Sequence, residues 1–343
     1  STRALSSAAS DVYKRQPVMS CYGGRPAMDE HRTMKSLNPQ VIIGTPGRMN
    51  DHLNKGNIDA SHVHTLVIDE FDKCLEMGFQ EEMSEVIAQI PYLKRRFLLS
   101  ATDAPAIPRF VSEGDFLKLN FLEDEEQIPE RIKVYTVKSP EKDKLEVLSK
   151  LLCYLGDKSS LVFVNYRESV ERVYRYLLQA GISCEMFHGG MEQKDRERAL
   201  YKFSNGSCNV FVSTDLAARG LDIPNIDHVI HYHLPLNEDA YIHRNGRTAR
   251  WDASGNVFLI LGPEEYLPEF IQQIPEDYVW EGPKPDPAKP QWVTLYIGKG
   301  KKDKINKVDI VGFLSKVGGL GKSDIGRIDV KEHYALSLIH ISE

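Results

Sequence analysis

No stretch of the 343-residue chain supplies the roughly 20 consecutive apolar residues that a bilayer crossing needs. The longest apolar runs, such as Val257 to Leu261 and Leu161 to Val164, are far shorter, so a membrane-spanning helix is excluded. Cysteine is scarce as well: Cys21, Cys74, Cys153, Cys184 and Cys208 form no CxxC or other metal-type spacing. That odd, scattered set reads as reduced thiols and argues against a disulfide framework. Positive charge is in deficit, with a formal net charge of -6. The balance argues against coating nucleic acid through bulk charge but leaves room for a local basic groove. Low-complexity tracts and repeats of solenoid period are also missing. What remains is a globular composition, 41% apolar and 27% charged, over a length that suits two or three domains of roughly 150 residues. With no targeting signal visible, the cytoplasm is the default location.

The two ends stand apart from this balance. Residues 1–16 are Ser- and Ala-rich without the sustained apolar region of a signal peptide. Residues 335–343 (ALSLIHISE) break off as a strand pattern should continue. Both read as adapter-derived sequence and are set outside the fold, with a genuine disordered tail as the alternative. Between them, short apolar runs suited to buried strands (Val41 to Ile43, Leu66 to Ile68, Phe97 to Leu99, Leu161 to Val164, Val210 to Val212, Val229 to Ile230, Val257 to Leu261) are interleaved with helical patterns. Examples of the latter are Met83, Val86 and Ile90, then Leu145, Leu148, Leu151 and Leu152, then Val170, Val173 and Leu177. Such alternation predicts parallel sheets with both faces covered. An acidic stretch with Pro129 (121–130) and a segment with four prolines in the ten residues 281–290 (linker 276–291) mark two boundaries.

Ligands of open parallel sheets bind beyond the carboxyl ends of the strands, so polar residues just after strands are the first candidates. Four runs fit: Gly44-Thr45-Pro46-Gly47-Arg48, Asp69-Glu70-Phe71-Asp72, Ser100-Ala101-Thr102 and Ser213-Thr214-Asp215. A strand ending in Asp-Glu is what a nucleotide hydrolase needs, one carboxylate for a Mg²⁺ ion through water and one to activate the attacking water. An isolated Asp-Glu pair is equally a helix start with acids in its first turn. Arginines three apart in His243 to Arg250 suit charge developing on a γ-phosphate, although alone they would be a solvated basic face.

The ordered set TPGR (45–48), DEFD (69–72), SAT (100–102), STDLAARGLD (213–222) and HRNGRTAR (243–250) resembles the DEAD-box RNA helicases over about residues 17–275. The resemblance implies an α/β fold of two RecA-like parallel-sheet lobes that close over ATP and grip single-stranded RNA. Lobe 1 is expected in 17–120 and lobe 2 in 131–275. It further implies that Asp69 holds Mg²⁺ through water and that Glu70 activates the attacking water. Arg247 and Arg250 match the arginine fingers, and Gly220 and Asp222 the nucleotide contacts. Asp72, Ser100, Thr102 and His243 match residues that couple hydrolysis to strand separation. RNA contacts would come from Gly23, Gly24, Thr45, Arg48, Gln193, Arg196 and Thr214. Two departures stand out: Phe71 replaces the alanine of the family motif, and Ala249 replaces a glycine between the fingers.

A phosphate-cradling GxxxxGK[ST] loop is missing between Ser1 and Asp69, and the near match at Gly321-Lys322-Ser323 has Lys316 where the leading glycine belongs. The first lobe is therefore expected to be incomplete, a fragment lacking its P-loop, with an uncovered core face and little ATP turnover of its own. Beyond the second linker, residues 292–334 read as a partial α+β domain with five lysines in the nine residues 299–307. Lys299, Lys301 and Lys302 are phosphate-contact candidates, and Tyr296 either stacks on a base or packs in the sheet. This part resembles the RRM-like tail of bacterial DEAD-box helicases that act on large-subunit ribosomal RNA. The expected whole is a monomeric, RNA-stimulated ATPase and helicase of ribosome assembly with ATP and Mg²⁺ as cofactors and RNA as partner. The alternative is a non-catalytic RNA-binding scaffold on the same lobes.

Overall fold

The computed structural model describes residues 17–23, 27–100, 107–111, 116–120, 132–218, 226–248, 254–271 and 274–340. The chain divides into two compact units, residues 1–127 and 128–343.

In the first unit, β1 (Val18–Cys21) and β2 (Val41–Gly44) are parallel neighbours. Parallel pairing requires a crossover, and α1 (Ala27–Leu37) supplies it before α2 (Pro46–Asn54). A second parallel pair joins β3 (Thr65–Ile68), through α3 (Phe71–Glu76) and α4 (Gln80–Ala88), to β4 (Arg95–Leu98). Among the described residues these are two separate two-stranded ladders. Met83, Val86 and Ile90 are buried at the helical spacing read from the sequence. The outer apolar side chains of the second ladder are left half in water, with Val67 53% and Phe97 50% exposed, whereas parallel strands ordinarily have both faces covered.

The second unit is built on a seven-stranded parallel sheet. Its elements are β5 (Ile132–Lys138), α5 (Leu145–Leu155), β6 (Ser160–Phe163), α6 (Arg167–Gln179), β7 (Cys184–Phe187), α7 (Gln193–Ser204), β8 (Val210–Ser213), α8 (Asp215–Ala218), β9 (His228–His231), α9 (Glu238–Asn245), β10 (Gly255–Leu261) and β11 (Glu276–Asp277). The spatial order is β11-β5-β10-β9-β6-β8-β7. Period-two alternation sorts the strand side chains between two cores. Leu161, Phe163, Phe211, Val229, Val257 and Leu259 enter one. Val162, Val164, Val210, Val212, Ile230, Phe258 and Ile260 enter the other, against Leu148 and Leu151 of α5 and Val170 and Val173 of α6. Each such fully buried aliphatic side chain contributes roughly 1.5–3 kcal/mol. Gly181, at φ +78°, supplies the left-handed residue that ends α6.

The segment 276–291, read as a proline-rich linker, begins as part of this sheet. β11 pairs with β5, Thr136 Oγ1 donates to Asp277 Oδ1 at 2.7 Å, and Trp280 lies under the Lys150 ammonium at 4.2 Å. Two aromatics, Tyr278 and Trp280, bury against the core, which outweighs the extended bias of the prolines that follow.

The tail is a three-stranded antiparallel sheet of β12 (Trp292–Ile297), β13 (Ile325–Val330) and β14 (Ala335–His340), crossed by α10 (Lys307–Lys316). Residues 335–340, set outside the fold on sequence grounds, are its central strand, paired with both β12 and β13. Ala335, Leu336, Ser337 and Leu338 are buried. The apolar run ALSLI was a strand signal that the odd composition of the terminus masked. Residues 1–16 and 121–130 lie outside the described residues.

Candidate nucleotide and RNA site

β3 and β4 are in register through Ile68↔Leu98, so the segments leaving their carboxyl ends are neighbours. Leu99 N donates to Ile68 O and Phe71 N to Leu99 O, both at 2.9 Å, which lays the Asp69–Asp72 turn against Ser100. Glu70 is one of three described non-glycine residues with positive φ, at φ 48° and ψ 46°. A left-handed glutamate costs on the order of 1–2 kcal/mol, and strain of this kind persists where the surroundings hold it. Asp69 Oδ1 accepts the Glu70 N–H at 3.0 Å. Asp69 itself is exposed and Glu70 half-buried, an arrangement that suits a carboxylate reaching Mg²⁺ through water. The ring of Phe71 is 1% exposed, packed with Met83 and Val111. The enlarged side chain therefore fills core and leaves both carboxylates at the turn. Asp72 is buried beside Lys73 Nζ, 3.8 Å away.

On the other ladder, Cys21 and Gly44 are register partners at the strand ends. A Cβ on Gly44 would fall 2.9 Å from Cys21 O, so only glycine fits. Thr45 starts α2 without capping it through its side chain, leaving an exposed hydroxyl at a helix N-terminus. Gly23 follows β1 with only Tyr22 between. The Arg48 guanidinium points inward, 3.1 Å from Glu30 Oε2 and 3.4 Å from Tyr22 O.

In the second unit, Phe187 and Ser213 are register partners, so the segments that carry Gln193 and Arg196 (after β7) and Thr214 (after β8) leave neighbouring strand ends. Arg196 lies over the Phe187 ring at 4.8 Å, and Gln193 Nε2 donates to Glu197 Oε1 at 3.3 Å. The hub of this end is Arg244, 1% exposed. It donates through Nε and Nη2 to both oxygens of Asp215, at 2.5 and 2.7 Å. It also donates to Asn165 Oδ1 at 2.8 Å and to His233 O at 2.7 Å. Arg244 thereby ties the segments after β6, β8 and β9 to α9. His243 and Arg247 flank it and share one hollow with Phe163, Asp215, Ala218 and Ala240.

In the tail, Lys299, Lys301 and Lys302 are exposed. Lys299 Nζ is 3.1 Å from Asp303, and Lys302 Nζ is 3.4 Å from His333 Nε2. Tyr296, 54% exposed, stacks on Tyr334 with ring centres 5.6 Å apart.

Three family profiles match in succession: DEAD/DEAH box helicase over residues 2–108, helicase conserved C-terminal domain over 143–252, and DbpA RNA binding domain over 294–340. The ATP-dependent RNA helicase DbpA of Escherichia coli is 33% identical over 321 residues, which cover 91% of this chain and 70% of that protein. The chain belongs to the DEAD-box ATP-dependent RNA helicases. The Bacillus subtilis DbpA is 30% identical across 90% of this chain and 71% of its own. The CshA helicase of Geobacillus kaustophilus is 35% identical, but the match spans only 54% of its length. Among solved structures, S. cerevisiae Dbp5 bound to RNA and ADP BeF3 superposes with a TM-score of 0.60 at 25% identity, covering 73% of this chain and 72% of that one. The likeness to Mss116p, with a TM-score of 0.65 at 21% identity, 82% coverage of this chain and 62% of that one, concerns the fold alone.

The DEAD-box motif residues Asp69, Glu70, Asp72 and Ser100 thus meet at one pair of strand ends. Gly23, Thr45 and Arg48 meet at the other, and Thr214, Gln193, Arg196, His243 and Arg247 lie at the carboxyl edge of the large sheet. Gly24, Thr102, Gly220, Asp222 and Arg250 lie outside the described residues. Sequence reasoning passed over Arg244 and Glu30. A signal for Arg244 existed in its place, inside the same motif as His243, with Asp215 in the preceding one.

Burial also sets an acid limit on the second unit of this DEAD-box chain. His188, His228, His231 and His233 all have their titration lowered, chiefly by desolvation. His231, enclosed and facing the Arg244 guanidinium, is pushed down to about 3, and His233, near Lys144, to about 4. An unfolded histidine titrates near 6.5, so below that value the unfolded chain takes up protons that the folded unit refuses. Stability present above pH 6.5 is then lost as pH falls, at up to roughly 1.4 kcal/mol per pH unit for His231 and likewise for His233, whose folded values lie well below that range. Urea midpoints followed by tryptophan fluorescence should decline steadily from pH 7 to pH 5. A flat profile over that interval would show that these rings do not control stability.

Proposed function

We propose that this chain acts in RNA-stimulated ATP hydrolysis coupled to RNA strand separation, with ribosomal RNA of the large subunit as its target. The observation that carries the reading is the strained Asp69–Glu70 turn lying against Ser100 at the ends of two paired strands. Asp69 is the carboxylate for Mg²⁺ through water, a role its exposed position fits. The ion, when bound, neutralises charge on the phosphates. Glu70 takes a proton from the attacking water. Arg247 and Arg250 stabilise charge on the γ-phosphate, and Gly220 and Asp222 hold the nucleotide. Asp72, Ser100, Thr102 and His243 transmit hydrolysis to the RNA grip, which is made by Gly23, Gly24, Thr45, Arg48, Gln193, Arg196 and Thr214. Lys299, Lys301 and Lys302 contact the RNA backbone from the tail, and the DbpA-type tail profile supports the ribosomal target. Because the 343 residues hold no GxxxxGK[ST] loop, we propose that they alone turn over ATP slowly, for want of the lysine and amides that grip a triphosphate. Phosphate release from ATP, with and without single-stranded RNA, tests the reading on this chain and on the chain joined to an upstream P-loop segment. Turnover confined to the joined chain and dependent on RNA supports it, whereas RNA binding without turnover in either favours a scaffold.

The RNA grip has its own test. Replacing Arg196 by alanine should weaken binding of a fluorescein-labelled oligouridylate and lower the slope of log K against log salt by about 0.7 if one phosphate contact is lost. A DNA oligonucleotide of the same length should bind less tightly, since it lacks the 2′-hydroxyl. Equal anisotropy titrations for wild type and Arg196→Ala would remove this residue from the grip.

A further inference from the structure

Glu30 sits on α1, outside every sequence motif named above, yet it is only 7% exposed. A buried carboxylate needs partners, and this one has several. Its Oε1 accepts the backbone N–H of Tyr22 at 3.3 Å. Its Oε2 lies 3.1 Å from Arg48 Nε and 2.9 Å from His52 Nε2. Arg48 in turn donates from Nη2 to the carbonyl of the same Tyr22 at 3.4 Å, and its Nη1 is 3.8 Å from Asp51. One carboxylate and one guanidinium therefore hold the N–H and the C=O of the residue immediately before Gly23. The guanidinium belongs to the helix whose first turn carries Thr45 and Gly47, and Thr45 N itself donates to Cys21 O at 3.2 Å.

We infer that Glu30 is a positioning residue for RNA binding: with Arg48 it forms a buried clasp that locks the Gly23 turn against the N-terminus of α2. The inference rests on the functional reading above, in which Gly23 and Thr45 touch RNA. It changes that reading at one residue: Arg48, counted there in the RNA grip, acts through its contacts to Glu30 and Tyr22 and not on a phosphate. A guanidinium ion-paired with Glu30 and donating to Tyr22 O has to give up both contacts before it can reach a phosphate. Cys21, Glu30 and His52 also bring ligand-type atoms within 4.8 Å of one another, but the chemistry favours hydrogen bonding over a metal. Burial, aided by Glu30, pushes the Cys21 thiol up to about 11, so it stays protonated. Asn57 Nδ2 lies 3.0 Å from His52 Nδ1, which leaves the other ring nitrogen to donate to Glu30.

Anisotropy titration of the whole chain with fluorescein-labelled oligouridylate, over a series of salt concentrations, tests the clasp. Glu30→Ala and Arg48→Ala should each weaken binding about tenfold, and the double variant should be no weaker than the weaker single one, because both remove the same device. Glu30→Gln, nearly isosteric, repeats the test should the alanine variant unfold. Arg48→Ala should leave the salt slope unchanged, whereas the Arg196→Ala control lowers it by about 0.7. A slope that falls likewise in Arg48→Ala, or tighter binding in Glu30→Gln as a released Arg48 reaches phosphate, overturns the clasp. If wild type binds and the control weakens binding while both Glu30 variants bind as wild type, the clasp alone fails. If wild type binds no oligouridylate, the functional reading fails first and the role of Glu30 in it falls with it.

Discussion

Replacing Arg244 by alanine should destabilise the second unit by about 3–5 kcal/mol, the range for breaking a buried ion pair from one side. The side chain is 1% exposed and donates four hydrogen bonds of 2.5 to 2.8 Å, two of them to Asp215. Truncation leaves the Asp215 carboxylate without its partner and strips a donor from Asn165 Oδ1 and from the His233 carbonyl. It also opens a hole beside the Phe163 ring, over which the guanidinium lies at 5.1 Å. All three tryptophans, Trp251, Trp280 and Trp292, belong to the second unit. Urea unfolding followed by tryptophan fluorescence therefore reports on that unit without a signal from the first. Asp215→Asn should cost less, since the amide still accepts one bond, and Arg244→Ala combined with Asp215→Asn should cost less than the two added together. A loss below about 1 kcal/mol would class the pair with solvent-exposed bridges and deny Arg244 its place as the hub of the motif.

The hub illustrates what a sequence conceals. In HRNGRTAR the three arginines recur every third residue, and spacing alone treats Arg244, Arg247 and Arg250 as one basic face. Only the fold separates them: α9 turns Arg244 into the sheet, where Asp215, Asn165 and His233 converge from three other strand ends. Glu30 was hidden for a similar reason, as a charged residue on an amphipathic helix whose partners come from Tyr22, Arg48 and His52. Four strands of the second unit, β6, β8, β9 and β10, were legible because they bury both faces, and a continuous apolar run such as Leu161 to Val164 has few other readings; β5, β7 and β11 carry more polar residues and were not read. Asp69 and Glu70 were legible because two carboxylates after an apolar strand place charge at the open end of a sheet. Tyr278, Trp280 and the strand 335–340 were missed where local composition, proline in one case and a terminus of odd character in the other, spoke louder than the apolar residues that do the packing.

Glu70→Gln should lower RNA-stimulated phosphate release by at least about 100-fold, the lower end of what a positioned general base supplies, while RNA affinity stays as in wild type. The measurement belongs in the chain joined to an upstream P-loop segment, where turnover is expected to be large enough to lose. Glutamine has nearly the volume of glutamate and preserves the backbone turn, so a loss of rate reports on the carboxylate and not on packing. Asp69→Asn should also lower the rate, but with a higher Mg²⁺ requirement, because the lost charge serves the ion and not the water. Backbone strain separates the catalytic role from a structural one. Glu70 holds φ 48°, a conformation that glycine adopts without penalty. Glu70→Gly should therefore abolish hydrolysis yet unfold no earlier than wild type, a combination expected only if the strained glutamate is kept for its chemistry. Equal hydrolysis by wild type and Glu70→Gln would sink the assignment of Glu70 as the base, and a Glu70→Gly chain that unfolds well before wild type would mean that the side chain is needed to hold the turn.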